Sequence, residues 1–593
     1  MGLLAPNLPD MELSEWRKKP YPERIKLQTR HWAENGFGTP YGVYVLYIVK
    51  MAAYLLLPAW IISSSTPGLG TLGNIGDWWT EPIVFEKFVI FTILFELLGF
   101  GCGSGPLTMR FFPPFGSATY WLRPGTLRLP PWPDKIPFTS GDRRSVVDVL
   151  LYVAVIGMLV RGLIADGVPG GPADSGLVDT TVVLSIVVAI AVMGLRDKTL
   201  FLAARSDQYW WMAIAFLFPF VDMIVALKLI MVAVWWGAAT SKLNHHFPYV
   251  VSVMLSNSPA LRPKALKRKL FRDFPEDIRP SGFAKFAAHI GTVIEYSVPL
   301  VLLFSTDPLL TLLALIAITI FHVFITSTIP AGVPLEWNLF VITGAWILFG
   351  NYQGAAGYSL FDVSNPLLIA ALLLPIFVMI GIGNFKPEMI SFLPGMRYYA
   401  GNWATATWVM KPHVEDVLDE KITKSAKSTK KQLLNLYDDD TAEFMMQKFV
   451  SWRSMHAHGR AHVGLLTHAV ENPDEYVVRE GEFQCGYLIG WNFGDGHLHD
   501  EQLIEALQKR CNFAEGDFRV ILMEGQPAHK QEQHYRIVDA ATGVIEEGVV
   551  KVADMITRQP WPDEGEVLPI QVTSGGGRPA PSRQVTYDDM EPA

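Results

Sequence analysis

The spacing of apolar and polar positions divides this chain in two. Between residues 41 and 384, long apolar runs alternate with short polar loops, whereas from residue 385 onward the pattern is the mixed one of a soluble protein. A helix needs about 20 apolar residues to cross a bilayer. Segments 41–62, 83–101, 145–165, 177–194, 283–304, 308–328, 335–350 and 366–384 meet or approach that length. The stretch 209–241 is too long for one crossing and short for two, and Pro219 and Asp222 lie where a helix could break. The pattern predicts a polytopic α-helical membrane bundle with a C-terminal soluble α+β domain. The bundle, 41–384, has eight full spans plus a hairpin or re-entrant element at 209–257.

Basic residues orient the chain, because short cytoplasmic loops carry an excess of Lys and Arg. The N-terminal 40 residues and loops 102–144, 195–208 and 258–281 are basic, while loops 63–82, 166–176 and 351–365 contain neither Lys nor Arg. The alternation is consistent with a multi-pass plasma-membrane protein whose two termini are both cytoplasmic. It requires the segment between loops 195–208 and 258–281 to go out and return, either as two short helices broken near Asp222–Lys228 or as one long helix returning through 247–256.

Outside the spans, residues 11–34, with Trp16 and Trp32, read as an interfacial helix within an N-terminal segment 1–40, or as a merely solvated stretch. Loop 102–144 mixes aromatics, prolines and arginines and is expected along the membrane surface. Residues 385–440 read as a second interfacial stretch and a charged linker, residues 441–572 as the soluble domain, and 573–593 as a disordered Gly/Pro/Ser-rich tail. Within the soluble domain, 441–470 reads as helix, 475–493 as strands around a Glu-Gly turn, 501–511 as an amphipathic helix, and 518–555 as strands with an Ala-Thr-Gly hairpin turn.

Composition narrows the function. Half the residues are hydrophobic and 18% are charged, below the roughly 25% of soluble chains. A net charge of −8 gives no electrostatic case for nucleic acid, so membrane lipids are the expected partners; a homo-oligomer or a membrane complex stays open. Three cysteines make no disulfide framework. The first apolar run is too long for a signal-peptide core and reads as a span. No Walker motif, strand-anchored GxGxxG or GxSxG elbow occurs, which argues against ATP-driven transport and nucleotide chemistry.

Ionisable groups inside spans are costly and are functional candidates by default: Lys50, Glu96, Asp222, Lys228, His289, Glu295 and His322. The most informative stretch is 234–251, where Lys242, His245 and His246 share one face if the helix continues. A lysine in a partly desolvated pocket can act as a base, with a histidine tuning it or relaying the proton. The plainer reading is a span terminus anchored at the headgroups by these residues. Nine of the fourteen histidines lie at 413 or beyond. His456, His458 and His462 in one group and His497 and His499 in another could hold a transition metal, or be surface histidines beside a turn. Cys485 and Cys511 lack CxxC spacing.

The run Trp236-Gly-Ala-Ala-Thr-Ser-Lys242-Leu243-Asn244 and the Phe321-His322 pair at the end of a later span resemble motifs of the horizontally transferred transmembrane domain, the fold of vitamin K-dependent gamma-carboxylase. That resemblance covers at most 41–384 and implies that Lys242 is a base deprotonating a hydroquinone. The whole chain also resembles an uncharacterised family of actinobacterial, especially mycobacterial, polytopic membrane proteins, through MGLLAPNLPDMELSEWR at the start, RYYAGNW at 397–403 and GWNFGDGHLHDEQLIEALQKRC at 490–511. Two functions follow as expectations. One is an enzyme acting on a lipid or quinone-like substrate in the bilayer, with Lys242 as base and His245, His246 or His322 assisting. The other is a non-catalytic lipid-binding, lipid-transport or scaffold protein of the cell envelope.

Overall fold

The computed structural model describes residues 2–102, 116–133, 135–328, 335–398, 400–562 and 567–575. Two short helices, α1 (Leu13–Arg17) and α2 (Tyr21–Asn35), precede the first span, α3 (Tyr41–Ser65). A single turn, α4 (Ile75–Trp78), leads into α5 (Pro82–Leu97), and α6 (Gly116–Trp121) precedes α7 (Val146–Ile164). Next come α8 (Thr180–Arg196), α9 (Lys198–Ala203), α10 (Tyr209–Ala215), α11 (Phe220–Ser241), α12 (Phe247–Asn257) and α13 (Lys264–Arg268). A small hairpin, β1 (Phe271–Asp273) and β2 (Asp277–Pro280), leads to α14 (Gly282–Phe304), α15 (Pro308–Thr326), α16 (Leu335–Ala345) and α17 (Pro366–Phe385).

Among the described residues, α3, α7, α11, α14, α15 and α17 are the six helices long and apolar enough to cross a membrane. Most start at a side-chain cap that satisfies otherwise orphaned backbone N–H groups: Ser145 for α7, Ser281 for α14, Asp307 for α15 and Asn365 for α17. Helix α11 is the central one. In its most apolar window 78% of residues are buried, against 22–33% in the other five. It packs on α10, α14 and α17.

Of the breakpoints the sequence offers within 209–257, Pro219 is the one used, and one long helix runs unbroken past Asp222 and Lys228. Helix α10 ends at Ala215 and α11 starts directly after Pro219, ahead of Asp222 and Lys228. Proline has no N–H to give to a preceding turn, so it opens a helix readily and continues one poorly. Asp222 instead accepts hydrogen bonds from the backbone N–H groups of Ser364 and Asn365, and Lys228 donates to the carbonyls of Tyr352 and Tyr358.

The loops without Lys or Arg meet on one face of the bundle, where Asn351 and Tyr352 both donate to the Thr80 carbonyl. The basic loops lie on the other face, against the C-terminal part of the chain. Ser117 donates to the Gly490 carbonyl, Gln502 to the Pro130 carbonyl, and Lys198 pairs with Asp500.

That C-terminal part is a six-stranded antiparallel sheet with helices. In chain order it comprises β3 (Thr405–Met410), α18 (His413–Lys421), α19 (Thr429–Leu433), α20 (Asp439–Met455), α21 (Ala457–Ala469), β4 (Val477–Glu480), α22 (Gly481–Ile489), α23 (Glu501–Cys511), β5 (Phe518–Met523), β6 (Glu532–Asp539), β7 (Gly543–Lys551), α24 (Val552–Thr557) and β8 (Ile570–Gly575). The strand order is β4-β3-β5-β6-β7-β8. In β3 and β5 every residue is buried, as in a strand covered on both faces.

Several local expectations change. The stretch read as interfacial at 385–411 supplies β3, a strand hydrogen-bonded on both sides. The linker contains α18 and α19. The segment read as strands around a Glu-Gly turn is a strand followed by a helix, because Glu480 accepts from the Phe483 N–H and caps α22. Residues 573–575, expected in a disordered tail, belong to β8, while 576–593 lie outside the described residues, as do 103–115 and 134 of the loop expected along the membrane. The N-terminal tryptophans are not membrane anchors: Trp16 packs edge-on against Phe444 at 5.1 Å, Trp32 is fully buried, and α2 lies on α20 and α12.

Candidate functional site

Helix α11 does not continue through Lys242. Asn244 accepts hydrogen bonds from the N–H groups of His246 and Phe247, at 2.7 and 3.2 Å, and Pro248 cannot donate to a preceding turn. The chain turns there and restarts as α12. Lys242, His245 and His246 therefore do not share a helical face. Lys242 points inward, His245 is exposed, and His246 is buried beside the C-terminal domain.

Lys242 is one wall of a cavity between the ends of the spans and the C-terminal domain. Its partner is Glu295 from α14. The ammonium lies 2.5 and 2.6 Å from the two carboxylate oxygens, and both side chains are buried. The same ammonium sits 5.2 Å from the Phe247 ring centroid. Lys242 is thus engaged by a carboxylate at the cavity wall, with both carboxylate oxygens on its ammonium.

His322 stands close by, on α15. Its Nε2 accepts from the Trp235 indole at 3.0 Å and its Nδ1 faces the Asn338 amide oxygen at 2.8 Å. These partners assign the neutral tautomer with hydrogen on Nδ1. His289, also expected inside a span, is exposed.

The other walls are mainly aromatic: Trp337, Phe392, Tyr398, Trp403, Trp452 and Phe493. Two charged networks back them. Arg205 pairs with Asp207, lies 5.8 Å from the Tyr398 ring centroid and 6.0 Å from that of Phe493, and has φ +50. A non-glycine residue is held in that conformation only where its surroundings determine it. Tyr398 donates to Asp207, and burial with this carboxylate raises its phenol pKa, so it stays protonated. The second network is Arg453, which donates to Glu480 at 2.7 Å and to Glu482 at 3.0 Å. Glu482 lines the cavity and also accepts from the Gly494 N–H. Burial and the neighbouring Glu480 carboxylate hold it above the usual carboxylate range.

The histidines proposed as metal ligands are all in the C-terminal domain's interior, in different hands. His456 and His458 stack at 5.7 Å, and His246 adds to them at 6.2 Å from His458. In His458, Nδ1 faces the Gly401 carbonyl and Nε2 accepts from Arg453, so both nitrogens are engaged. His462 Nε2 meets the Thr405 hydroxyl. Burial pushes His456, His462 and His499 down to about 3 and His458 down as well, and the Arg453 cation acts in the same direction. His497 is instead raised: burial opposes its charge, but Glu524 at 3.0 Å favours it. Among the described residues no three His, Cys, Asp or Glu side chains are placed to hold a metal ion. A guanidinium in the middle of the cluster is the physical reason that a cation is poorly received there.

Sequence reasoning did not find Arg205, Arg453 or Glu482, and it had Glu295 only as one of several intramembrane acids. Tyr398 and Trp403 lie in the RYYAGNW segment, a dense aromatic run on a polar stretch, which was the one available signal.

Over residues 1–573 the chain matches the family described as "Transmembrane protein of unknown function (DUF3556)", and it belongs to that family. No curated protein and no solved structure matches it.

Proposed function

We propose that this protein takes an amphiphilic, lipid or quinone-like molecule from the bilayer into the cavity between spans and C-terminal domain, and moves a proton on its polar end. The observation that carries the reading is the buried Lys242–Glu295 pair facing an aromatic-walled cavity. In such a low-dielectric place an acidic O–H or C–H of the substrate can give its proton to the Glu295 carboxylate. The Lys242 ammonium then stabilises the anion that forms. This shifts the base from Lys242, where the carboxylase-like resemblance puts it, to Glu295. His322, fixed by Trp235 and Asn338, keeps the neighbouring wall in place.

Non-catalytic lipid binding is the second reading, and the two-oxygen grip of Glu295 on Lys242 favours it, because the grip satisfies both charges without a substrate. The sidedness we assign is that of a plasma-membrane protein with both termini cytoplasmic, which puts the cavity on the cytoplasmic side of the bundle.

The test is a mass-spectrometric inventory of small molecules carried by the purified full chain, compared with Trp403→Ala, Lys242→Arg and Glu295→Gln. A lipid or quinone lost with Trp403→Ala supports cavity binding. Recovery of chemically altered forms of it from wild type, absent in Glu295→Gln, supports the enzyme. The same unaltered ligand on wild type and Glu295→Gln leaves the binding reading standing. An identical inventory in Trp403→Ala removes the cavity from both.

A further inference from the structure

A second site lies away from this cavity, where the loop before α7 meets the C-terminal domain. A pocket there is lined by Arg143, Lys421 and Arg510, with residues 125–127 and 422–423 completing it. No carboxylate lines it. Arg510 is already spoken for: its guanidinium donates to both carboxylate oxygens and the carbonyl of Asp142, each at 3.1 Å. Arg143 and Lys421 are different. Both are exposed, and among the described residues neither has a carboxylate partner. The Lys421 ammonium reaches only a carbonyl, that of Cys511, at 3.1 Å. Two uncompensated cations thus converge on one polar recess, with a third fixed behind them.

The recess also lies beside the start of the span α7. Arg143 is three residues ahead of Val146, the first residue of α7, and Val146, Val147 and Leu150 are 60%, 60% and 63% exposed, as lipid-facing residues of a span are. The same loop exposes Trp132 and Phe138, aromatic side chains of the kind found at the headgroup level. An unpaired Arg–Lys couple beside an apolar helix face is matched by an oxyanion carried on an acyl chain.

We propose that this pocket binds a phosphate group, with Arg143 and Lys421 as its direct contacts and Arg510, held by Asp142, as its rear wall. The phosphate can belong to an anionic lipid headgroup or be free in solution. The site ties the bundle to the C-terminal domain, because Arg143 comes from one and Lys421 and Arg510 from the other. It is independent of the Lys242–Glu295 cavity.

The test uses the purified full chain in detergent, with three probes: inorganic phosphate, dioctanoyl phosphatidylglycerol, and dioctanoylglycerol, which has the chains without the phosphate. Binding is followed by native mass spectrometry in wild type, Arg143→Glu and Lys421→Glu. The expected result is phosphatidylglycerol binding weakened at least about tenfold by either charge reversal. Salt should weaken it in wild type as well. Phosphatidylglycerol binding well above inorganic phosphate assigns the lipid as the source, and comparable binding assigns the free anion. Equal binding of phosphatidylglycerol and dioctanoylglycerol, or charge-reversed variants that bind as wild type does, would overturn the proposal. Both substituted residues are exposed, so the variants should melt as wild type does. If one does not, the salt titration of wild type against the phosphate-free probe still decides.

Discussion

Glu295, midway along α14, holds both of its carboxylate oxygens against the ammonium of Lys242, which ends α11. The pair joins two spans at the mouth of the cavity. Its consequences can be separated from those of catalysis, because a buried ion pair broken on one side leaves the other charge uncompensated.

Removing one partner is therefore expected to cost about 3–5 kcal/mol. Lys242→Met and Glu295→Gln should each lower the melting temperature in detergent, whereas the double variant should recover much of the loss. Single variants as stable as wild type would mean that water reaches the pair and that the cavity is more open than its lining implies.

Glu482 makes a prediction about pH. It shares the Arg453 guanidinium with Glu480, and burial followed by that second carboxylate raises its pKa. A folded-state value above the unfolded one, about 4.3, means that the folded protein binds the extra proton. Stability from this group is complete below the unfolded value and declines as pH rises toward the folded one. Glu482→Gln cannot titrate, so it should be the more stable protein at alkaline pH, and the difference should shrink as pH falls. Parallel melting curves for the two proteins from pH 5 to 9 would show Glu482 ionised throughout.

Three buried histidines have the opposite sign. His246, His456 and His462 are pushed down to about 3 by burial, so the unfolded chain, with ordinary histidine values near 6.5, binds protons that the folded one refuses. Their contribution is present above about pH 6.5 and is lost as pH falls through that value toward the folded one. His456→Gln should flatten part of the acid side of the stability profile. An unchanged acid limb would show that these rings are solvated.

Sidedness can be read by labelling. Cys102, Cys485 and Cys511 are all buried, so the wild-type background with an impermeant thiol reagent should be low. Phe361, 90% exposed on the face without basic loops, and Leu436, 52% exposed in the C-terminal part, report opposite sides. In intact cells Phe361→Cys should label and Leu436→Cys should not. The reverse pattern would place the C-terminal domain outside.

The class of this protein was legible in its sequence, because a span must be apolar over a fixed length and a cytoplasmic loop tends to be basic; both properties are local. The caps at Ser145, Ser281 and Asp307 are equally local, one side chain satisfying the first turn, although the apolar pattern alone did not single them out. What sequence could not decide is which residues meet. Lys242 looks like one third of a helical face with His245 and His246, yet Asn244 and Pro248 turn the chain and give Lys242 a partner 53 positions away. Trp16 and Trp32 have the composition of membrane anchors, but both are buried, Trp16 against Phe444 of α20 and Trp32 against Phe37, and the first of these contacts spans more than 400 positions. The histidines of HAHGRAH have metal-ligand spacing, but the nearby Arg453 engages His458, and the fold brings in Glu480 from 27 positions away as the partner of Arg453. Local hydrophobic length and capping are written residue by residue. Charge partners and cavity walls arise where distant elements pack, and tertiary structure alone settles them.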